Sequence, residues 1–371
     1  MKALKQIAFV IFLLSLTGCG NILYLGKLGW HQSFITFHSV PVQEILQDER
    51  TEGEMKERIR FVQEVKRYGE ERLGLERTKS YSKFFEVKGP VLYVVTASEK
   101  DRLQLHSWKF PIVGKVTYKG FFTQEGALRE ERSLREKGFD TFVQHCGAYS
   151  TLGWLKDPIF SSMLKWDDAS LSNVILHEMA HATVYFKGET NLNEQVATFI
   201  GNRGAIGFLT ERYGPTSEEV SEAVHIQEDD LLFGRWIDQV CQKLSDLYAK
   251  KISREEKLKE REEIFQRIKE EFGKIKVQFK TDCYKDFGKG DINNAVLLAF
   301  HRYIDQLERF QTVFENLGWD LRRVIAFFEE VRASKEKPSA FLARWMEEKG
   351  ITAPKFENNP EYFIEVNIPS P

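Results

Sequence analysis

His177 and His181 stand four residues apart in the stretch HEMAH, with Glu178 directly after the first. On a helix, positions four apart share a face, so both imidazoles can reach one point. Glu178 is turned from that face by about a hundred degrees at ~3.6 residues per turn. It can lean over the same point without being a ligand. Two histidines to hold an ion and a carboxylate to deprotonate water are the parts of a zinc hydrolase. A catalytic zinc takes a third protein ligand and keeps one position open. Glu194, in NLNEQVATF, is the candidate for that third ligand.

To converge, these residues need a buried helix pair. The first helix is expected to start near Asp168 or Ser170, either of which can cap it. Leu171, Val174, Ile175, Met179 and Ala180 surround the histidines with apolar surface, and Lys187-Gly188 is read as the end, with Gly188 at the C′ position. Asn191 or Asn193 then opens a second helix, through Val196, Ala197, Phe199 and Ile200 to Gly201. Glu194 falls in its first turn, across a tight turn from His181, so that its carboxylate can return to the ion.

Ahead of the pair, Val91 to Ala97, Val113 to Tyr118 and Asp140 to Ser150 read as strands, being rich in β-branched and aromatic residues. Ala127 to Gly138 reads as an amphipathic helix between them. Ala148 to Trp166 mixes Gly, Ser, Thr, Pro and two Trp without a period. That is a structured loop, and loops of such length in compact domains are commonly functional.

Residues 21–89 read as helix, with Ile45, Leu46, Ile59, Phe61, Val62 and Val65 at helical spacings and a turn at Gly69 and Gly74. After the site, Thr216 to Lys276 is heavily charged with an apolar stripe that includes Leu244, Leu247, Ile264, Phe265, Ile268 and Phe272. It lacks a sustained heptad, so a long helix or hairpin is expected rather than a coiled coil. Asp291 to Gly318 resumes a buried helix, which Asn293 and Asn294 open as caps or as polar groups reaching the site. The fold class is therefore α+β, mostly α-helical, with a small β-sheet preceding a zincin-like active-site helix pair. One domain is expected over 19–335: helical over 19–89, sheet and loop over 90–166, helical with the metal site over 167–335. Residues 336–371 read as an appendage with little regular structure.

The chain of 371 residues, 42% hydrophobic and 29% charged, has the composition of a globular protein with a sizeable core. With 53 basic and 55 acidic residues its net charge of −2 shows no bias toward nucleic acid. The first residues look like an export signal. Lys2 and Lys5 precede a ten-residue apolar run, Ile7 to Leu16, too short to span a bilayer at about 20 residues but right for a signal. Leu16-Thr17-Gly18-Cys19 resembles a bacterial lipobox. By that resemblance residues 1–18 are removed and Cys19 carries lipid, anchoring the body to a membrane. The expected location is the bacterial cell envelope, outer membrane or periplasmic face. Cys146, Cys241 and Cys283 remain, enough for at most one intramolecular disulfide, and Cys146 reads as a small buried residue rather than a ligand.

The segment HEMAHATVYFKGETNLNEQVATF resembles the pattern HELAH…Y…G…FNE.FA of the predicted aminopeptidases among bacterial lipoproteins, a gluzincin-like group of zinc metallopeptidases. The segments PIVGKVTYKGFF, GAYSTLGWLKDPIFSSM and INNAVLLAFHRY look like further blocks of that family in the same order. The resemblance implies one Zn2+ ion on His177, His181 and Glu194, Glu178 as general base, and a peptide as substrate. Met179 and Leu192 depart from the commoner Leu and Phe without touching the site. Tyr149 and Tyr303 are the candidates for stabilising the oxyanion. By analogy with gluzincins, Cys146 to Ser150 would bind substrate backbone as an added strand. A competing reading is a catalytically silent zinc-site lipoprotein that binds or assembles cell-envelope partners. Retention of Glu178 argues against it, since a structural zinc site has no use for a base.

Overall fold

The computed structural model describes residues 19–110, 114–147, 156–305 and 307–351, with side chains from Tyr24 onward. The described residues open with helix α1 (Cys19–His38), whose Tyr24 hydroxyl donates to the Gly120 carbonyl at 2.8 Å. Trp30, Phe34 and Phe37 share one face of α1 and are 73%, 48% and 83% exposed. No described helix is long and apolar enough to cross a membrane.

Helix α2 (Val42–Gln47) and helix α3 (Gly53–Tyr68) follow, with Ile59, Phe61, Val62 and Val65 of α3 buried. A π-helical turn, Gly69–Leu73, ends α3, and Gly74 stops it at φ 79°, as the turn expected there requires. The same region also holds strands that its helical reading missed. Strand β1 (Val40–Pro41) pairs antiparallel with β2 (Lys83–Phe85), and β2 pairs parallel with β8 (Ile159–Phe160). Strands of two or three residues carry no readable alternation, which is why they were invisible.

The main sheet has the order β6-β3-β7, from β3 (Leu92–Ser98), β6 (Lys119–Phe121) and β7 (Asp140–Cys146), all antiparallel. A small ribbon of β4 (Trp108–Phe110) and β5 (Gly114–Val116) stands beside it. Helix α4 (Gln124–Glu136), capped by Thr123, buries Ala127 and Leu134 with Val95, Ala97 and Trp108 in a separate small core. β7 forms one edge of the sheet among the described residues.

The remaining body is helical: α5 (Asp168–Thr183), α6 (Thr190–Tyr213), α7 (Glu218–Ala249), α8 (Arg254–Ile275), α9 (Asn294–Ile304), α10 (Leu307–Asn316), α11 (Leu321–Ala333) and α12 (Pro338–Glu348). The charged stretch after the site is thus the hairpin α7–α8. Asn293 caps α9, accepting from the amides of Ala295 and Val296, while Asn294 Nδ2 donates to the Glu99 carbonyl at 2.9 Å, so neither serves the site. Beyond Lys335, where little regular structure was expected, the chain forms α12 from Pro338, with Phe341 edge-on to Phe327 at 6.0 Å between ring centroids. Mostly helical, with small sheets ahead of the helix pair, the chain has the α+β class expected.

One buried ion pair joins sheet and helices. Arg261 of α8 donates to both oxygens of Asp140 on β7, at 2.7 and 3.2 Å, and to the Lys100 carbonyl at 2.6 Å. The Asn294 amide adds a bond to Asp140 at 3.2 Å.

Candidate metal centre

α5 starts one residue earlier than expected, because Asp167 is its cap and accepts from the Ser170 amide at 2.7 Å. Asp168 is instead held by Arg58 and by the Tyr213 hydroxyl at 2.6 Å. α5 ends at Thr183, before Gly188, which sits in the following turn at φ 86°. Asn193 is no cap. Its amide clamps that turn, accepting from the Phe186 amide at 2.7 Å and donating to the Phe186 carbonyl at 2.9 Å. Glu194 therefore sits at the fifth residue of α6, just past its first turn, beside a residue that fixes the approach angle.

α6 does not stop at Gly201, as its sequence suggested, but runs on to Tyr213. Glycine serves close packing here. A Cβ on Gly201 would lie 2.9 Å from the Asn173 carbonyl oxygen and 3.1 Å from His177 Cβ, and one on Gly204 would lie 2.8 Å from Leu176 Cδ1. The backbone of α6 thus rests directly on the face of α5 that bears His177. Gly201→Ala should destabilise the fold by up to about 2 kcal/mol, overpacking of about 1–3 kcal/mol exceeding the ~1 kcal/mol of helix propensity gained. Gly273→Ala in α8, where a Cβ meets nothing within 4 Å, should stabilise by about 0.5–1 kcal/mol. Denaturant unfolding of both variants checks the opposite signs.

The packing brings three donor atoms together. His177 Nε2 and His181 Nε2 are 3.1 Å apart, and Glu194 Oε2 lies 3.5 Å from the first and 3.4 Å from the second. Ligand atoms about 2.0–2.2 Å from a tetrahedral ion stand roughly 3.3 Å from one another. The donor set and its spacing fit a zinc ion. Burial disfavours the Glu194 carboxylate, but the two imidazoles more than offset it and hold its pKa well below the usual range. For His181 burial opposes the charge, while Glu194 raises its pKa more strongly. His181 Nδ1 is buried and has no hydrogen-bond partner among the described residues, so the ring's polar contacts are those of Nε2.

Glu178 makes no hydrogen bond or ion pair with another described residue. It lines a cavity of about 10 Å³, room for about one water molecule, with Thr78, Ser80, Tyr81 and Asp157. Burial raises its pKa; His177 and His181 work in the opposite direction. Tyr303 of α9 lies near, its ring centroid 6.4 Å from that of His177. Burial, then the charge of Glu194, push its hydroxyl far above 10. Tyr118 was not singled out by sequence, yet its pKa is also raised by burial and then by Glu194. Its ring lies under the Arg302 guanidinium at 4.9 Å. Tyr149 lies outside the described residues, as do the loop around it and the side chain of Cys19. Cys146, Cys241 and Cys283 are free.

An open cavity of about 270 Å³ adjoins the centre, lined by His177, Tyr303, Asn173, Asn202, Asp230 and Tyr284 among others. Asn173 donates to Asn202, and Asn202 donates to Asp230 at 2.7 Å. These residues come from α5, α6, α7, the segment before α9 and α9 itself, so no sequence spacing announces them. In a second group of possible ligand atoms, Asp238, His301 and Asp305, His301 Nε2 is 2.7 Å from Asp238 Oδ1, and Gln195 of α6 donates to Asp305 at 3.3 Å.

A family model described as "Putative aminopeptidase" matches residues 23–344. No curated protein and no solved structure matches the chain.

Proposed function

Because the chain belongs to the family described as putative aminopeptidases, we propose that it is a zinc-dependent peptidase that removes residues from peptide N-termini. The observation that carries this reading is the convergence of His177, His181 and Glu194 within 3.1–3.5 Å of one another. Beside them, Glu178 is a carboxylate with no hydrogen-bond or ion-pair partner among the described residues.

His177, His181 and Glu194 would hold the ion. Bound there, zinc would supply Lewis acidity, polarising the scissile carbonyl and bringing the pKa of water toward ~7. Glu178 takes the proton from the attacking water and returns it to the leaving amine. A carboxylate whose pKa is raised by burial is the better suited to both steps. Tyr303 and Tyr118 keep their protons far above neutral pH, so either hydroxyl can donate to the developing oxyanion. An extended substrate would lie along the outer edge of β7 as an added strand.

Membrane anchoring through lipid on Cys19, in the bacterial cell envelope, belongs to the same proposal. The exposed Trp30, Phe34 and Phe37 face of α1 supports it, since aromatic side chains favour the membrane–water boundary.

The experiment that tests the reading measures zinc content together with hydrolysis of aminoacyl-arylamides and N-blocked peptides. Stoichiometric zinc with turnover of free N-termini only is the expected result. Cleavage of blocked peptides alone would overturn the aminopeptidase assignment, and zinc without turnover on any substrate would favour a binding protein. A further expectation concerns protons. His181 gains a proton more readily in the metal-free chain than a free imidazole does, and the ion must displace it. Zinc affinity should therefore rise with pH, by about tenfold per unit below the imidazole pKa. Competition with a chelator near pH ~6 and ~8 measures this, and a flat affinity would remove His181 from the ligand set.

A further inference from the structure

Asp230, on α7, is only 9% exposed and stands in the wall of the cavity beside His177. Its Oδ1 accepts from the Tyr284 hydroxyl at 2.6 Å and its Oδ2 from Asn202 Nδ2 at 2.7 Å. Both donors are neutral, and no described lysine, arginine or histidine pairs with it. A buried carboxylate without a cation is costly to maintain. Burial pushes its pKa up to about 6, the two hydrogen bonds offsetting only part of that effect. A carboxylate offers about four lone-pair sites, of which the described residues fill two.

The position of Asp230 relative to the centre says which cation would meet it. Asn173 lies one turn before His177 on α5, and the chain Asn173–Asn202–Asp230 leads away from the histidine. The carboxylate thus shares the cavity wall with His177 but is not among the converging donor atoms, and two asparagine side chains stand between them. That arrangement suits a flexible stem that carries an ammonium away from the reacting atoms. Val174, Ile226 and Ile304 supply apolar wall for such a stem.

We propose that this cavity is a specificity pocket for a basic side chain, lysine or arginine, on the residue flanking the bond hydrolysed at the metal centre, with Asp230 as its counter-ion. The pocket's role in hydrolysis rests on the peptidase reading, whereas its affinity for a cationic side chain does not. Lysine and norleucine differ by the terminal amine on the same stem, which makes them the probes of choice.

Two measurements on the zinc-loaded full chain decide it. Peptides carrying lysine or norleucine on either side of the bond should differ by about 10–100-fold in kcat/KM at one of the two positions, in favour of lysine. Asp230→Asn should bring that ratio close to one. The substitution removes an unpaired buried charge and keeps an acceptor for Tyr284 or Asn202, so the fold persists. Independently, calorimetry on the Glu178→Gln protein should show lysinamide binding more tightly than norleucinamide, with the difference lost when Asp230→Asn is added. If neither peptide is hydrolysed but the binding difference is present and depends on Asp230, the pocket stands and the peptidase reading fails. Equal behaviour of lysine and norleucine in both measurements overturns the pocket. A lysine preference that survives Asp230→Asn overturns the role of this carboxylate.

Discussion

Glu178→Gln is expected to retain one zinc ion per chain while kcat falls by about two to four orders of magnitude, the usual contribution of a general base. The amide preserves the volume of the side chain, and Glu178 is absent from the group of converging ligand atoms. It also makes no hydrogen bond or ion pair to another described residue, so its replacement leaves no partner stranded. What the amide cannot do is accept a proton from water. The loss should therefore appear in kcat, with KM changed far less, and metal analysis on the same preparation separates the two possible causes. Loss of zinc would make Glu178 a ligand. Retained activity would place the base elsewhere, with Asp157, which shares its small cavity, the next residue to examine.

Arg261→Met should lower the free energy of unfolding by about 3–5 kcal/mol, the cost of leaving one member of a buried ion pair alone. Both side chains are 6% exposed, and the guanidinium holds the Asp140 carboxylate at two points. Against a typical total of about 5–15 kcal/mol, this is the largest single-residue effect on stability expected outside the apolar core. Substituting Asp140 by Leu in the same chain should recover much of the loss, because an apolar pair of similar volume can replace a buried ion pair. Denaturant titrations of the two single variants and the double variant give the coupling. Additive losses would sink the assignment of this pair as the joint between sheet and helices.

Much of the candidate metal centre was legible because its determinants are local. Histidines four apart need only a helix, and a carboxylate on the next helix needs only a turn. What misled was the assumption that glycine ends helices. Gly188 does not terminate α5 and Gly201 does not terminate α6. In the second case a side chain is excluded by the neighbouring helix, a fact that no single-helix pattern contains. Asn193 read as a cap because its residue type favours caps, but tertiary contact gave its amide two backbone partners at Phe186. The two- and three-residue strands β1, β2 and β8 had too little length to show a period. Asp230 and Asn202 join the cavity beside His177 only through packing of distant segments, which no local pattern announces. Helix α12 was within reach: Pro338 at its first turn is a common helix opening.

The glycines of α6 carry a cost that helps explain the centre they serve. Each glycine inside a helix forfeits roughly 1 kcal/mol relative to alanine, and Gly201 and Gly204 both lie in mid-helix. In exchange, α6 sits close enough to α5 for donor atoms on the two helices to converge at 3.1–3.5 Å. A ligand set held by helix packing in this way would leave little ordering cost to be met when an ion binds. The expense would then fall on the scaffold, in two glycines that the helix could otherwise do without.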